Sequence, residues 1–229
     1  MAVANWNRLL KPILDLWFQP NCVLCDRPAR EIICAYCQRQ LQQYQFAQPD
    51  RFWRQEVPSL FVWGAYQGTV KRAIAQMKLS QEQNCPELSK PLGKWLGQAW
   101  LKSPLSYGKK FTVVPIPSDP QRLKERGFNQ AELLAKSFCD ITGYPCQTQG
   151  LTRSRPTKAL YGLSLEQRMQ EINQAMGLGA AFRDRPPQNP VLLLDDIYTT
   201  GTTCREAQRV LQQNKIPVYG MVAIATTKK

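Results

Sequence analysis

The sequence predicts an α/β protein, a doubly wound parallel sheet preceded by a small cysteine-rich module. Three observations predict it. Short apolar runs bounded by turn residues (60–66, 111–114, 191–194 and 218–226) alternate with stretches of helical periodicity. The run Val191-Leu192-Leu193-Leu194 has no polar alternation, as expected of a strand buried on both faces. Four cysteines, Cys22, Cys25, Cys34 and Cys37, are spaced Cys-x2-Cys-x8-Cys-x2-Cys near the front.

Taken in order, Trp6, Leu9, Leu10, Ile13 and Trp17 fall at helical spacing, although Pro12 interrupts a single continuous helix. This segment reads as a hydrophobic lid on the cysteine module, with docking to a membrane or partner as the alternative. Each Cys-x2-Cys turn aims two thiolates at one point. Two such turns complete a tetrahedral all-thiolate site, so structural zinc is expected on Cys22, Cys25, Cys34 and Cys37. Four protein ligands leave no open position for catalysis. Disulfides compete with this reading, but a reducing interior disfavours them. Cys85, Cys139, Cys146 and Cys204 lack such spacing and read as core or surface thiols. The glutamine-rich stretch 38–50 forms a joint. The expected domains are therefore 1–50, helix and zinc module, and 51–229, the sheet domain.

Within the sheet domain, residues 60–66 read as a strand. A helix from Thr69 follows, with Val70, Ala73, Ile74 and Met77 on one face and Lys71, Arg72 and Lys78 elsewhere. Residues 86–100 read as a helix and 111–114 as a strand closed by Pro115-Ile116-Pro117. Asn129 and Glu132 resemble a capping box opening a helix over 130–141, which Gly143 ends. Residues 186–190 lead into the strand at 191, and 218–226 closes the sheet. No internal repeat is visible.

Composition narrows the chemistry. Of 229 residues, 43% are hydrophobic, enough for a real core. No run of about 18 apolar residues occurs, so no transmembrane segment is expected. The front lacks the features of a signal peptide, which predicts a cytoplasmic protein. Thirty Lys and Arg against 17 Asp and Glu give a net charge of +13, favouring nucleic acid, anionic membrane or phosphorylated partners. Histidine is absent, which excludes imidazole bases, Ser-His-Asp triads and Cys/His metal sites. Chemistry falls to carboxylates, Lys, Arg, backbone amides or a metal.

The most informative string is Asp195-Asp196-Ile197-Tyr198-Thr199-Thr200-Gly201-Thr202-Thr203. Two carboxylates ending an apolar strand are costly unless that end opens into a watery site. In open α/β sheets the ligand crevice lies there. Strand, hydroxyl-rich turn and helix N-terminus (helix-compatible 204–213) form the local architecture of a phosphate cradle. No Gly-Lys-Ser/Thr follows a glycine-rich stretch, so it is not a P-loop.

This string resembles the 5-phosphoribosyl-1-pyrophosphate (PRPP) loop of type I phosphoribosyltransferases. Two further strings matter, Arg126-Gly127-Phe128-Asn129-Gln130 and a basic stretch running from Arg153 through Arg155 and Lys158 to Arg168. In order with the four-cysteine knuckle, they resemble the ComF family of competence-linked, phosphoribosyltransferase-like proteins over residues 20–225. The resemblance implies a type I phosphoribosyltransferase-like sheet and PRPP bound with magnesium. It implies that Asp195 and Asp196 face the ribose hydroxyls and the magnesium water shell. Thr199, Thr200, Gly201, Thr202 and Thr203 would hold the 5-phosphate, while Pro117 and Ser118 border the pyrophosphate. Residues 153–168 would correspond to the loop that closes over substrate. Arg153, Arg155 and Lys158 would neutralise the leaving pyrophosphate. Two departures stand near the substrate mouth: Leu160 replaces an expected polar residue, and Ser118-Asp119 stands where an apolar residue and His are commoner. By family likeness the protein handles single-stranded DNA during natural transformation, with DNA-uptake or recombination proteins as partners. The alternatives are a metabolic phosphoribosyltransferase acting on a small acceptor, and a zinc-bearing adaptor without catalysis.

Overall fold

The computed structural model describes residues 20–79, 84–153 and 175–228. The apolar segment from Trp6 to Trp17, together with Arg155, Lys158 and Leu160, lies outside the described residues. The chain divides into two compact units that part between Gln43 and Tyr44, short of the Asp50 expected from the sequence.

In the first unit, residues 20–29 fold back on themselves. The Ala29 amide donates to the Pro20 carbonyl at 2.9 Å and the Cys22 amide to the Arg27 carbonyl at 2.8 Å. Helix α1 (Ala35–Gln42) follows, with Cys34 as its N-cap.

The second unit holds a four-stranded parallel sheet made of β1 (Leu60–Ala65), β2 (Thr112–Pro115), β5 (Val191–Tyr198) and β6 (Val218–Thr226), in the order β1-β6-β5-β2. Leu60 and Val62 pair with Met221 and Ala223, and these in turn with Leu193 and Asp195, so side chains alternate faces in register across the sheet. On one face lie α3 (Ser89–Leu101), which the 3-10 turn Pro86–Leu88 precedes, and α5 (Gln130–Thr142). Helix α3 packs over β1 and β6, α5 over β2 and β5, and the two helices pack against each other. Gly93 permits that approach, because a Cβ there would lie 2.6 Å from the Leu134 carbonyl oxygen. Phe61 and Trp100 fill the space beneath, edge to face at 5.1 Å.

The opposite face carries α7 (Thr202–Gln213). Its Ala207, Val210 and Leu211 share one buried cluster with Val62, Leu193 and Met221. Beside them pack the antiparallel hairpin of β3 (Leu151–Arg153) and β4 (Met176–Leu178), and the short α6 (Ala180–Asp184). Helices on both faces of a parallel sheet make the fold doubly wound, as expected. Helix α2 (Gly68–Gln76) follows β1, and α4 (Pro120–Arg126) stands between β2 and α5. Among the described residues no helix is long and apolar enough to cross a membrane.

Strand β5 does not stop at the carboxylates. It continues through Tyr198 because Asp195, Ile197 and Tyr198 still pair with β6, whereas pairing with β2 ends at Leu194. Beyond Leu194 one edge of β5 is therefore open, and that opening positions the site.

Candidate functional site

The site lies beyond the carboxyl ends of β2 and β5, where the chain leaves β2 outward through α5 and returns inward to β5. Such switch points are where open α/β sheets form crevices. The pocket has a volume of about 220 Å³. Its walls come from the β2 exit (Ile116, Pro117, Ser118), the β5 end (Asp195, Asp196, Ile197), the following loop (Thr199, Thr203) and a set of cations.

The β2 exit is fixed by one residue. The Asn129 amide group donates to the Ile116 carbonyl at 3.0 Å, and its side-chain oxygen accepts from the Ser118 hydroxyl at 2.9 Å and from the Ala131 amide at 3.1 Å. Asn129 thereby caps α5 and ties the pocket wall to it. Asp119 accepts from the Gln121 amide at 2.9 Å and caps α4, so Ser118-Asp119 has a structural use here. Gly127, with φ 82°, ends α4 in the left-handed region and turns the chain toward α5.

The two carboxylates differ. Asp196 is buried, and its Oδ2 pairs with Lys78 Nζ at 2.8 Å. Asp195 accepts from the Asp196 amide at 2.8 Å through Oδ1. Asp195 is half-buried and lines the pocket. Burial and then the Asp196 charge push its pKa up to about 8, against the opposing pull of Lys78. Above them, the Arg126 Nε donates to the Lys78 carbonyl at 3.1 Å and its Nη1 to Gln130 at 3.1 Å. Burial lowers the basicity of both Arg126 and Arg153, as expected of guanidinium groups short of water. Among the described residues, Lys78, Arg122, Arg126 and Arg153 line the pocket beside two acids, Asp195 and Asp196.

The loop after β5 is held by contacts among its hydroxyls and by Arg205 of α7. Thr200 and Thr202 hydroxyls lie 2.9 Å apart, and Arg205 Nη2 donates to the Thr200 carbonyl at 2.8 Å. Gly201, at φ 74°, caps α7 where a side chain would collide with the Tyr198 hydroxyl. The residue expectations therefore divide. Asp195, Asp196, Thr199, Thr203, Pro117, Ser118 and Arg153 line one pocket. Thr200, Gly201 and Thr202 shape its loop without lining it. Sequence reasoning missed Lys78, Arg122, Arg126 and Asn129 as lining residues. Lys78 is read there as one of several off-face helix lysines, and only its place just past the end of α2 separates it from Lys71 and Arg72.

In the first unit the sulfurs of Cys22, Cys25, Cys34 and Cys37 all lie within 4.8 Å of one another. The Cys34 amide donates to Cys22 Sγ at 3.3 Å and the Cys37 amide to Cys34 Sγ at 3.5 Å. Burial raises the Cys22 thiol, but amides from Cys34, Leu24 and Cys25 outweigh it and bring it down to about 7. Four converging thiol sulfurs with amide donors fit a closed tetrahedral zinc site.

No family model matches the chain. Curated proteins show distant similarity. "Competence protein F" of Haemophilus influenzae is 31% identical over 112 residues, 48% of this chain and 48% of that protein. "Competence protein ComFC" of Bacillus subtilis is 34% identical over 45% of this chain and 39% of that protein. "DNA utilization protein YhgH" of Salmonella typhimurium is 28% identical over 62% of this chain and 60% of that protein. The matches span about half the length of these curated relatives. Among solved structures, adenine phosphoribosyltransferase from Leishmania donovani matches with TM-score 0.41 and 15% identity over 84% of this chain and 68% of that one. The glutamine PRPP amidotransferase of B. subtilis matches with TM-score 0.36 and 20% identity over 59% of this chain and 25% of that one. These likenesses are partial, and the fold class rests on the strand order and helix placement.

Proposed function

We propose that the protein is a PRPP-binding, phosphoribosyltransferase-like factor that handles single-stranded DNA in natural transformation. The observation that carries the phosphoribosyl part is one pocket lined both by Asp195, Thr199 and Thr203 at the end of β5 and by the cations Lys78, Arg122, Arg126 and Arg153. A ribose carrying a phosphate and a pyrophosphate matches that combination of acceptors, hydroxyls and positive charge. Loop amides and threonine hydroxyls take the 5-phosphate. Asp195 accepts from the ribose hydroxyls, and Asp196, already paired with Lys78, keeps the second carboxylate in place. The cations offset the charge that grows on pyrophosphate as it leaves the anomeric carbon. Arg155 and Lys158 belong to the same basic stretch of sequence as Arg153 and are proposed to add to its neutralisation of the pyrophosphate. Magnesium bound with PRPP supplies further neutralisation of the pyrophosphate, and Asp195 and Asp196 are the residues that would hold its water shell.

The DNA part rests on the kinship with proteins named for competence and DNA utilization and on the +13 charge. Exposed Lys90, Lys94 and Lys102 on or beside α3, and Lys124 on α4, place positive charge outside the pocket as well. Zinc on the four cysteines completes the first unit as a structural element.

The test is a pyrophosphate-release assay with Mg-PRPP, run with single-stranded oligonucleotide or with a panel of small amine and nucleobase acceptors. Fluorescence anisotropy of the labelled oligonucleotide across a salt series runs alongside it. Binding without sequence preference should fall with salt at a slope of roughly −0.7 per phosphate neutralised. Release driven by a small acceptor, with no oligonucleotide binding at low salt, moves the assignment to a metabolic transferase.

A further inference from the structure

The loop 199–203 rests on a tyrosine whose position is set from far away in the sequence. Tyr198, the last residue of β5, is 1% exposed, and its hydroxyl donates to Glu56 Oε2 at 2.6 Å. Glu56 also pairs with Lys228. The Lys228 amide donates to the Thr226 hydroxyl oxygen at 3.2 Å, and that hydroxyl donates to the Tyr198 carbonyl at 2.8 Å. The result is a closed ring of contacts around the ends of β5 and β6. Directly over the Tyr198 hydroxyl sits Gly201, the left-handed residue on which the loop turns. Burial opposes charge on Glu56, yet Lys228, Tyr198 and Arg205 together hold its carboxyl below the usual range, so it remains an ionised acceptor. Glu56 lies in irregular chain before β1, takes no part in lining the pocket, and its side chain is 15% exposed. A carboxylate so placed has a function in what it holds.

We propose that Glu56 is a positioning residue: acting through the Tyr198 hydroxyl beneath Gly201, it fixes the loop 199–203 in its anion-receiving conformation. The identity of the anion, the phosphate of a phosphorylated ribose, rests on the phosphoribosyl reading. The brace itself does not. Removing the carboxylate leaves a buried hydroxyl without its acceptor, and the loop loses its floor.

Hydrogen exchange on the full chain tests the brace without any ligand, comparing wild type with Glu56→Ala, Glu56→Gln and Tyr198→Phe. The expected result is faster exchange confined to residues 198–204 in Glu56→Ala and Tyr198→Phe. Glu56→Gln, which keeps an acceptor oxygen, should stay close to wild type. Calorimetry with ribose 5-phosphate and, separately, with magnesium pyrophosphate probes the two ends of the pocket. Glu56→Ala should weaken ribose 5-phosphate about tenfold, the scale of one charge-assisted hydrogen bond, and leave pyrophosphate unchanged. Unchanged exchange at 198–204 in Glu56→Ala overturns the proposal. So does loosening spread evenly over the sheet, or equal loss in Glu56→Gln. If wild type binds no ribose 5-phosphate while Glu56→Ala still loosens the loop, the brace stands and the phosphoribosyl reading falls.

Discussion

Asp195 and Asp196 are adjacent in sequence but do different work, because successive strand residues point to opposite faces. Asp196 turns to the α3–α5 side and meets Lys78, whereas Asp195 is pushed up to about 8 by burial and by Asp196. The sign follows. A carboxyl whose folded pKa exceeds its unfolded value adds stability below the unfolded value and loses it as pH rises through the folded one. Thermal unfolding should therefore show stability falling between about pH 4 and 8, and Asp195→Asn should abolish that fall. A wild-type profile flat over this range, or an unchanged one in Asp195→Asn, would count against the assigned environment. Lys78→Met leaves a buried carboxylate unpaired. The expected cost is ~2 kcal/mol by urea unfolding, below the usual range for fully buried pairs because Lys78 is 30% exposed. The two aspartates were legible in the sequence because they end an apolar run. Their partner was not, since nothing local distinguishes Lys78 from the neighbouring surface lysines.

At the scale of elements, regular pieces were readable and short ones were not. The capping box announced α5, and the structure starts it at Gln130 with Asn129 as cap. Helix α4 has no fully buried residue and so leaves no hydrophobic stripe to read. It is held by Asp119 at one end, Gly127 at the other and the reach of Arg126 to Lys78. Likewise β3 and β4 are three residues each, too short for periodicity, and turn part of the expected basic loop at Arg153 into a strand. Asn129 shows that the Arg126–Gln130 string shapes the pocket as well as lining it. Asn129→Ala should cost about 1–2 kcal/mol through the lost cap and should also release the β2 exit. Circular dichroism melts check the first effect, and weaker pyrophosphate binding by calorimetry checks the second. Full retention of pyrophosphate affinity would show that the β2 exit needs no tie.

For the whole molecule, the doubly wound sheet and the four-cysteine cluster were legible because both rest on regular signals, alternating periodicity and cysteine spacing. The strand order β1-β6-β5-β2 was beyond it, since pairing partners are decided by contacts between distant segments. That order matters for function. It leaves β5 unpaired past Leu194 on the side of β2 and opens the pocket there. The two units also give a metal prediction. Cys34→Ser removes a thiolate ligand while leaving a hydroxyl able to cap α1, so metal analysis should find zinc lost with the helix start retained. Hydrogen exchange should then rise in residues 20–43 and stay unchanged in β5 and β6. Zinc retained in the variant would show that the four thiols do not form one site.

The central claim is that the β2–β5 crevice binds PRPP through Asp195 and the loop it leads into. Calorimetry of Mg-PRPP with wild type and with Asp195→Asn/Asp196→Asn tests it most directly. The account predicts saturable one-to-one binding by wild type. It also predicts a loss of at least about tenfold in the double variant, from the two carboxyl groups removed from the ribose and magnesium-water positions. Wild-type protein that is folded and zinc-loaded yet binds no Mg-PRPP would contradict the account, as would a folded double variant that binds it undiminished.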